Sequence, residues 1–222
     1  MAVLAFDTAT AATVVGLLEA GGALTEARHD PPPGGRPEHA QRLLPLVHQV
    51  VEDWDAVARI GVGLGPGSFT GLRIGIATAR ALAQGRGVPV VGVGTLAVVA
   101  RRLSGDFDGT CLAVLDARRG EAFAAAWSAG GERLAAPAAL DPGDLAALLD
   151  PAHAPWLAVG DGAIRFRDRL EPALVGVPGD GSRVHLVDAA ALCGLAASGE
   201  TVDRDKLVPD YLRRPDAEIR RP

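Results

Sequence analysis

Apolar residues in this chain gather in short unbroken runs, separated by glycine, proline and acidic turns. The run over 2–6 predicts a strand buried on both faces. Asp7-Thr8-Ala9-Thr10 then makes a turn. The β-branched run over 12–18 predicts a second strand. Gly21-Gly22 turns the chain again, into a third strand over 23–29. Turns this short permit only an antiparallel meander. A Pro/Gly loop over 30–37 follows. From Glu38 onward, Leu43, Leu44, Val47, Val50 and Val51 recur at helical spacing, and Pro45 is expected to kink the helix or break its first turn. Strands over 58–64 and 88–91 bracket a glycine turn and an Ala/Ile/Leu-rich helix. Thr95 is expected to cap a further helix that runs to Leu103.

After a polar junction at 104–109 the order restarts. An apolar strand over 111–115 ends in Asp116, a turn occupies 117–121, and a partner strand returns over 122–127. A third strand is expected over 132–136, and a helix over 142–149 with Asp141 as its cap. A strand over 156–159 runs into Gly160-Asp161-Gly162, read as a strand-to-helix turn with Asp161 as the cap. A helix over 163–170, a strand over 184–187, a helix over 189–198 and a charged tail complete the pattern. The chain therefore reads as α/β with two related lobes, 1–103 and 104–222, each opening on a strand–Asp–turn–strand unit.

Composition narrows the function classes. The 222 residues are 48% hydrophobic, ample for a buried core, and the formal charge of −5 offers no overall basic footprint for nucleic acid. Cys111 and Cys193 sit in apolar contexts and read as reduced, buried thiols. The first residues meet Asp7 too soon for a signal peptide, and no charge-free apolar run reaches about 18 residues. A soluble cytoplasmic protein with no membrane partner is expected.

The densest candidate chemistry is Gly65-Pro66-Gly67-Ser68-Phe69-Thr70-Gly71-Leu72-Arg73. A strand, a glycine turn and a helix present backbone N–H groups at a helix N-terminus. A Walker A loop would need Lys after its last glycine, and Leu72-Arg73 stands there. A dinucleotide fingerprint would need one residue fewer between Gly65 and Gly71, and an acid about 20 residues on. Residues 56–105 contain no acid at all. The helix instead carries Gly71, Gly75 and Ala79 four apart on one face, which packs either inside the fold or on another chain. Arg73 and Arg80 occupy the remaining surface, and Gly71, Arg73, Gly75, Ala79 and Arg80 together are the candidate partner-binding face. The two arginines belong to a set of six in the acid-free segment, with Arg59, Arg86, Arg101 and Arg102, a local charge suited to RNA or an acidic partner surface. Asp7, Thr8 and Thr10, with Gly65, Gly67 and Ser68 and with Asp116 of the second lobe, are the candidate nucleotide or phosphate turn. The competing reading of both aspartates is turn capping without a ligand. His39 has Leu43 four residues on, so a helical metal pair is absent, and no G-x-S-x-G elbow occurs.

Several segments, in order from end to end, resemble the TsaB (YeaZ) family of tRNA threonylcarbamoyladenosine biosynthesis proteins. They are Asp7-Thr8-Ala9-Thr10, Glu38-His39-Ala40-Gln41 with Leu44-Pro45, Gly65 to Gly71 with Arg73 and Gly75, Asp116-Ala117-Arg118 with Gly120-Glu121, and Tyr211-Leu212-Arg213. The resemblance implies an actin-like (ASKHA) fold with a ribonuclease H-like motif in each lobe. It implies a non-catalytic relative of TsaD, whose metal-binding His-x-x-x-His is here His39 and Leu43. Such a chain binds the TsaD catalytic subunit, works with the TsaE ATPase, and forms homodimers through its N-terminal lobe when alone. The complex transfers threonylcarbamoyl to the adenosine beside the anticodon in tRNAs reading codons that begin with A. No cofactor is expected to bind this chain stably, and ATP or ADP is expected only in the complex. Two other readings stay open: an actin-fold ATPase or kinase acting alone through Asp7 and Asp116, and a metallopeptidase.

Overall fold

Every side chain of the first strand, β1 (Ala2–Asp7), is buried, as a continuous apolar run at the centre of a sheet requires. β2 (Thr13–Leu18) and β3 (Leu24–His29) pair antiparallel in turn, giving the expected meander. β4 (Val57–Gly65) pairs with β1 in parallel, and β5 (Val90–Gly94) with β4. The sheet order is β3-β2-β1-β4-β5. The structure is a computed structural model that describes residues 1–32, 34–103, 107–173 and 175–213. Residues 104–106 of the expected junction, and the tail from residue 214 on, lie outside the described residues.

One face of this sheet is covered by α1 (His39–Val50) and α2 (Phe69–Arg86). Leu4, Phe6 and Val15 from the strands meet Leu43, Val47 and Val50 of α1 and Ile76, Ala79 and Ala83 of α2 in one core. α1 runs through Pro45 without interruption, so the expected break is absent. α2 starts at once after Ser68, whose hydroxyl accepts from the Gly71 amide, and ends at Gly87 in the left-handed conformation. α3 (Thr95–Arg101) begins at Thr95 itself.

The other face of the sheet is covered from far down the chain. α6 (Ala189–Ser198), capped by Asp188, lies so close that a Cβ on Gly16 would stand 2.8 Å from Cys193 Sγ. One on Gly61 would stand 2.4 Å from the Ala196 Cβ. Glycines inside strands here mark the close approach of a helix. This corrects the linear division at 103/104. The chain groups into a first unit of Met1–Val98 with Val187–Asp210, and a second of Val99–Leu186 with residues 211–213 of the tail. A sheet with two apolar faces needs a cover on both, and α6 supplies the second.

The second unit repeats the plan. β6 (Thr110–Arg118), β7 (Glu121–Trp127) and β8 (Arg133–Leu140) form a meander, and β9 (Trp156–Val159) and β10 (Val175–Gly176) add in parallel. The order is β10-β9-β6-β7-β8. Leu112, Val114, Ala124, Leu145, Phe166 and Leu170 are among its core residues. Asp141 caps the segment 142–148 as expected, though its turns are 3-10. The helix expected over 163–170 is two short ones, α4 (Asp161–Arg165) and α5 (Arg167–Leu170). The strand expected at 184–187 is a 3-10 turn, Arg183–His185, with the Ser182 side chain at its cap; β10 takes the fifth place. Both sheets thus share the order third-second-first-fourth-fifth, the duplicated arrangement of the actin-like fold.

Candidate functional site

Asp7 ends β1, and its carboxylate has no access to solvent. Oδ1 accepts from the Ala9 amide at 2.7 Å, closing the turn over two residues. Oδ2 accepts from the Thr95 hydroxyl at 2.7 Å, so Thr95 serves Asp7 where a helix cap was expected. Burial pushes the Asp7 carboxyl above its ordinary value, and the bonds from Ala9 and Thr95 oppose that shift. Across the sheet, a Cβ on Gly63 would fall 2.0 Å from Oδ2. Only glycine leaves this carboxylate room.

The glycine turn closes directly on the Asp7 turn. Ser68 donates its amide to Ala9 O at 2.7 Å. The Thr8 hydroxyl donates to Gly71 O at 2.8 Å. A Cβ on Gly67 would come within 2.3 Å of Ala9 O, on Gly71 within 1.9 Å of Thr8 O, and on Gly75 within 2.5 Å of Thr8 Oγ1. Ala79 is fully buried. The stripe Gly71, Gly75, Ala79 therefore lies inside the first unit, and the expectation that it forms a docking face is corrected. Its glycines admit the hairpin turn, not a partner chain. Of the expected phosphate turn, Asp7, Thr8, Gly67 and Ser68 are brought together, but facing one another. Gly65 (φ 102°) packs on Leu72, and Thr10 is half-buried beside them.

The arginines separate in the same way. Arg80 Nη2 donates to the carbonyls of Asp205 and Leu207 at 3.0 and 2.7 Å, so it holds this chain's own tail. Arg59 reaches Ala197 O, and Arg86 pairs with Asp55. Arg73 is exposed, with its guanidinium 3.7 Å above the Phe69 ring. Leu44 of α1 and Phe69 of α2 are exposed large apolar side chains of the helical face. The sequence reading places Leu44 among the apolar helical positions and Phe69 in the glycine block, but names neither as a surface residue. At about 100° per residue, Leu44 falls outside the stripe of Leu43, Val47 and Val50 that faces the core.

His39, which spacing dismisses as a metal ligand, has a structural place here. It is buried, its Nδ1 lies 2.8 Å from the Thr13 hydroxyl, and its Cδ2 would be 3.3 Å from a Cβ on Gly71. Burial lowers its imidazole below the ordinary histidine value, which keeps the ring neutral at neutral pH. With Asp7, Thr8, Thr13 and Thr95 it makes a buried polar cluster behind the glycine turn. Among the described residues, no three His, Cys, Asp or Glu side chains gather as a metal site would require.

The second aspartate turn is built from matching parts. Asp116 Oδ1 accepts from the Arg118 amide at 2.8 Å. Its Oδ2 faces Arg118 Nη1 at 3.2 Å and Arg165 Nη1 at 3.5 Å. The Asp116 amide donates to Asp161 Oδ1 at 3.1 Å. Asp161 thus ties the two turns together, while Gly160 (φ 107°) takes the cap position expected of it. A Cβ on Gly160 would lie 2.1 Å from Val114 O. Arg118 and Arg119 both have positive φ, 64° and 56°, at about 1–2 kcal/mol each. Glu121, which follows the turn, pairs with Arg213 of the tail. Two segments 92 residues apart that carried the resemblance therefore meet.

A family model described as "TsaD: tRNA N6-adenosine threonylcarbamoyltransferase" matches residues 28–167. The tRNA threonylcarbamoyladenosine biosynthesis protein TsaB of Escherichia coli K12 is 33% identical over 226 residues, spanning 96% of this chain and 95% of that protein. The TsaB of Bacillus subtilis 168 is 30% identical over 191 residues, spanning 82% of each. Among solved structures, YeaZ from Pseudomonas aeruginosa superposes with a TM-score of 0.78 at 31% identity, covering 95% of this chain and 99% of that one.

Proposed function

This chain belongs to the TsaB (YeaZ) family, and we propose that it serves tRNA threonylcarbamoyladenosine biosynthesis as a non-catalytic subunit. It binds and activates a TsaD-like catalytic subunit and works with a TsaE-like ATPase. The complex moves threonylcarbamoyl onto the adenosine next to the anticodon in tRNAs that read codons starting with A. Alone, the chain pairs with a second copy of itself, and it works in the cytoplasm. None of its described helices is long and apolar enough to cross a membrane.

The observation that carries this reading is the closure of the Asp7 turn. A turn that holds phosphate must leave its amides and carboxylate open to the ligand. Here Asp7 spends both oxygens on Ala9 and Thr95, and the glycine turn lies against Thr8 and Ala9. That supports a lobe that no longer handles nucleotide by itself and instead offers its outer helical face. The docking surface is then Leu44, Phe69 and Arg73 on α1 and α2, with an arginine–aromatic pair of the kind enriched at interface centres. ATP or ADP enters only in the assembled complex, and tRNA is reached through it.

Reconstitution tests the proposal. TsaD, TsaE, ATP, threonylcarbamoyl-adenylate and tRNA are combined with and without this chain, and modified adenosine is measured. Modification is expected to depend on its addition; an undiminished yield without it would falsify the reading.

A further inference from the structure

After α6 the chain stays on the first unit. Val202 donates its amide to Val90 O at 2.9 Å, an antiparallel bridge to β5. Asp203 caps a single 3-10 turn, Arg204–Lys206, by accepting from the Asp205 amide. The carbonyls of Asp205 and Leu207 accept from Arg80 of α2. The Leu207 side chain is buried in the same core as Ile76, Ala79 and Ala83. The Asp210 amide then donates to Leu64 O at 2.8 Å, one residue before Gly65. The segment thus grips α2 and the end of β4 from which the glycine turn departs.

Arg80 follows Arg73 by seven residues, two helical turns, so both lie on one face of α2. The tail occupies the later part of that face, and Phe69 and Arg73 the earlier part. We propose that residues 202–210 form a strap that sets the position of α2 and of the glycine turn for partner docking, with Arg80 as the positioning residue that fastens it. This rests on the reading of α2 as a docking helix. The strap is built for local release. Residues 201–206 and Val208 are exposed, and within 202–210 Leu207 alone is buried. Segments with few buried contacts open without global unfolding. The Arg80 guanidinium also has its Nε buried without a partner, which sinks it between helix and strap and leaves the two carbonyls as its anchorage.

Amide hydrogen exchange on the full chain tests the strap, read by mass spectrometry beside the affinity for a TsaD-like subunit. Arg80→Gln keeps the helix but cannot span both carbonyls. Asp210→Pro removes the amide that reaches Leu64 and leaves α2 untouched. In both variants, exchange is expected to quicken at least about tenfold over 202–210 and over 68–73, with β1 and β2 unchanged. Partner affinity is expected to fall about tenfold or more, with recovery in part by Arg80→Lys. Wild-type rates over 68–73 in a variant whose strap has loosened would overturn the proposal, as would a strap whose rates do not move. A wild-type chain that fails to bind the partner defeats the docking reading instead, and exchange over 68–73 still decides whether the strap holds the turn.

Discussion

The turns at Asp7 and Asp116 start from one design and diverge in their surroundings. Asp7 is the last residue of β1 and Asp116 stands two residues before the end of β6, and each accepts the amide two residues on, at 2.7 and 2.8 Å. Each is backed by a glycine turn that follows the fourth strand. At Asp7 the remaining oxygen meets a neutral hydroxyl, and the carboxylate is sealed off. At Asp116 it meets two guanidinium groups, those of Arg118 and Arg165. Arg118 is largely exposed. The same topology therefore supports two electrostatic solutions: enclosure with dipoles, and neutralisation by cations near water. Enclosure commits the first turn to holding its own lobe together, which frees the helical face outside it to evolve as a surface.

The most severe test of enclosure is Gly71→Ala. Its methyl would stand 1.9 Å from Thr8 O, a backbone atom that cannot swing aside. Overpacking of this kind costs about 3 kcal/mol or more, so urea denaturation should show a large fall in stability or no folded protein. Gly75→Leu is expected to follow it, because Gly75 faces Thr8 and not a partner. If Gly75→Leu keeps full stability and loses only partner binding, the enclosed picture is wrong.

Arg73→Glu sharpens the contrast between inside and outside. It is expected to weaken association with a TsaD-like subunit by about tenfold to a hundredfold, about 1.4–2.7 kcal/mol, while the stability of the chain falls by no more than about 1 kcal/mol through loss of the Phe69 contact. Calorimetric titration and a melting curve check the two halves of that statement.

Asp116→Ala should be milder, at about 1 kcal/mol of stability. It removes one turn hydrogen bond and two partly exposed ion pairs. Equal damage from Asp116→Ala and Gly71→Ala would erase the distinction between the turns.

The smallest change is expected from Asp7→Asn, and its sign is the informative part. Burial raises the Asp7 carboxyl in the folded state. Its contribution is therefore fully present below the unfolded-state value and lost as pH rises through the raised one. Ionisation of Asp7 thus opposes folding. Asn can still accept from Ala9 and can donate to the Thr95 hydroxyl, so the variant should be at least as stable at pH 7. Its stability should also lose the Asp7 component of the decline above the ordinary carboxylate range. Unfolding curves between pH 4 and pH 8 would show this, and a marked loss at pH 7 would mean that the charge is needed.

The sequence made the repeat visible because period and turn chemistry are local: both strand–Asp–turn–strand units stand where the apolar runs place them. It made the glycine block visible but not its occupant. Gly71 meets Thr8, 63 residues away, and only the fold brings them together. Arg80 looked like surface because helical spacing gives a direction, not a neighbour; the tail that covers it comes from Asp205 and Leu207. The strand expected at 184–187 is a 3-10 turn with Ser182 at its cap, a local conformation that an apolar run by itself does not reveal. Gly16 and Gly61 did carry a readable sign of α6, since a strand gives up packing at each interior glycine unless something must come close.

The position of α6 has a consequence for how the protein is made. On the ribosome, β1 to β5 emerge early, but the helix that covers their second face is among the last elements to appear. The whole run from Val99 to Leu186 must be synthesised first. The second unit thus has its sheet and core residues available before the first unit is complete. Until α6 arrives, Val3, Ala5 and Gly61 face an open side. A truncated product ending near residue 103 would carry an entire sheet and still lack half of its shelter, the state in which newly made chains are most exposed to aggregation and proteolysis.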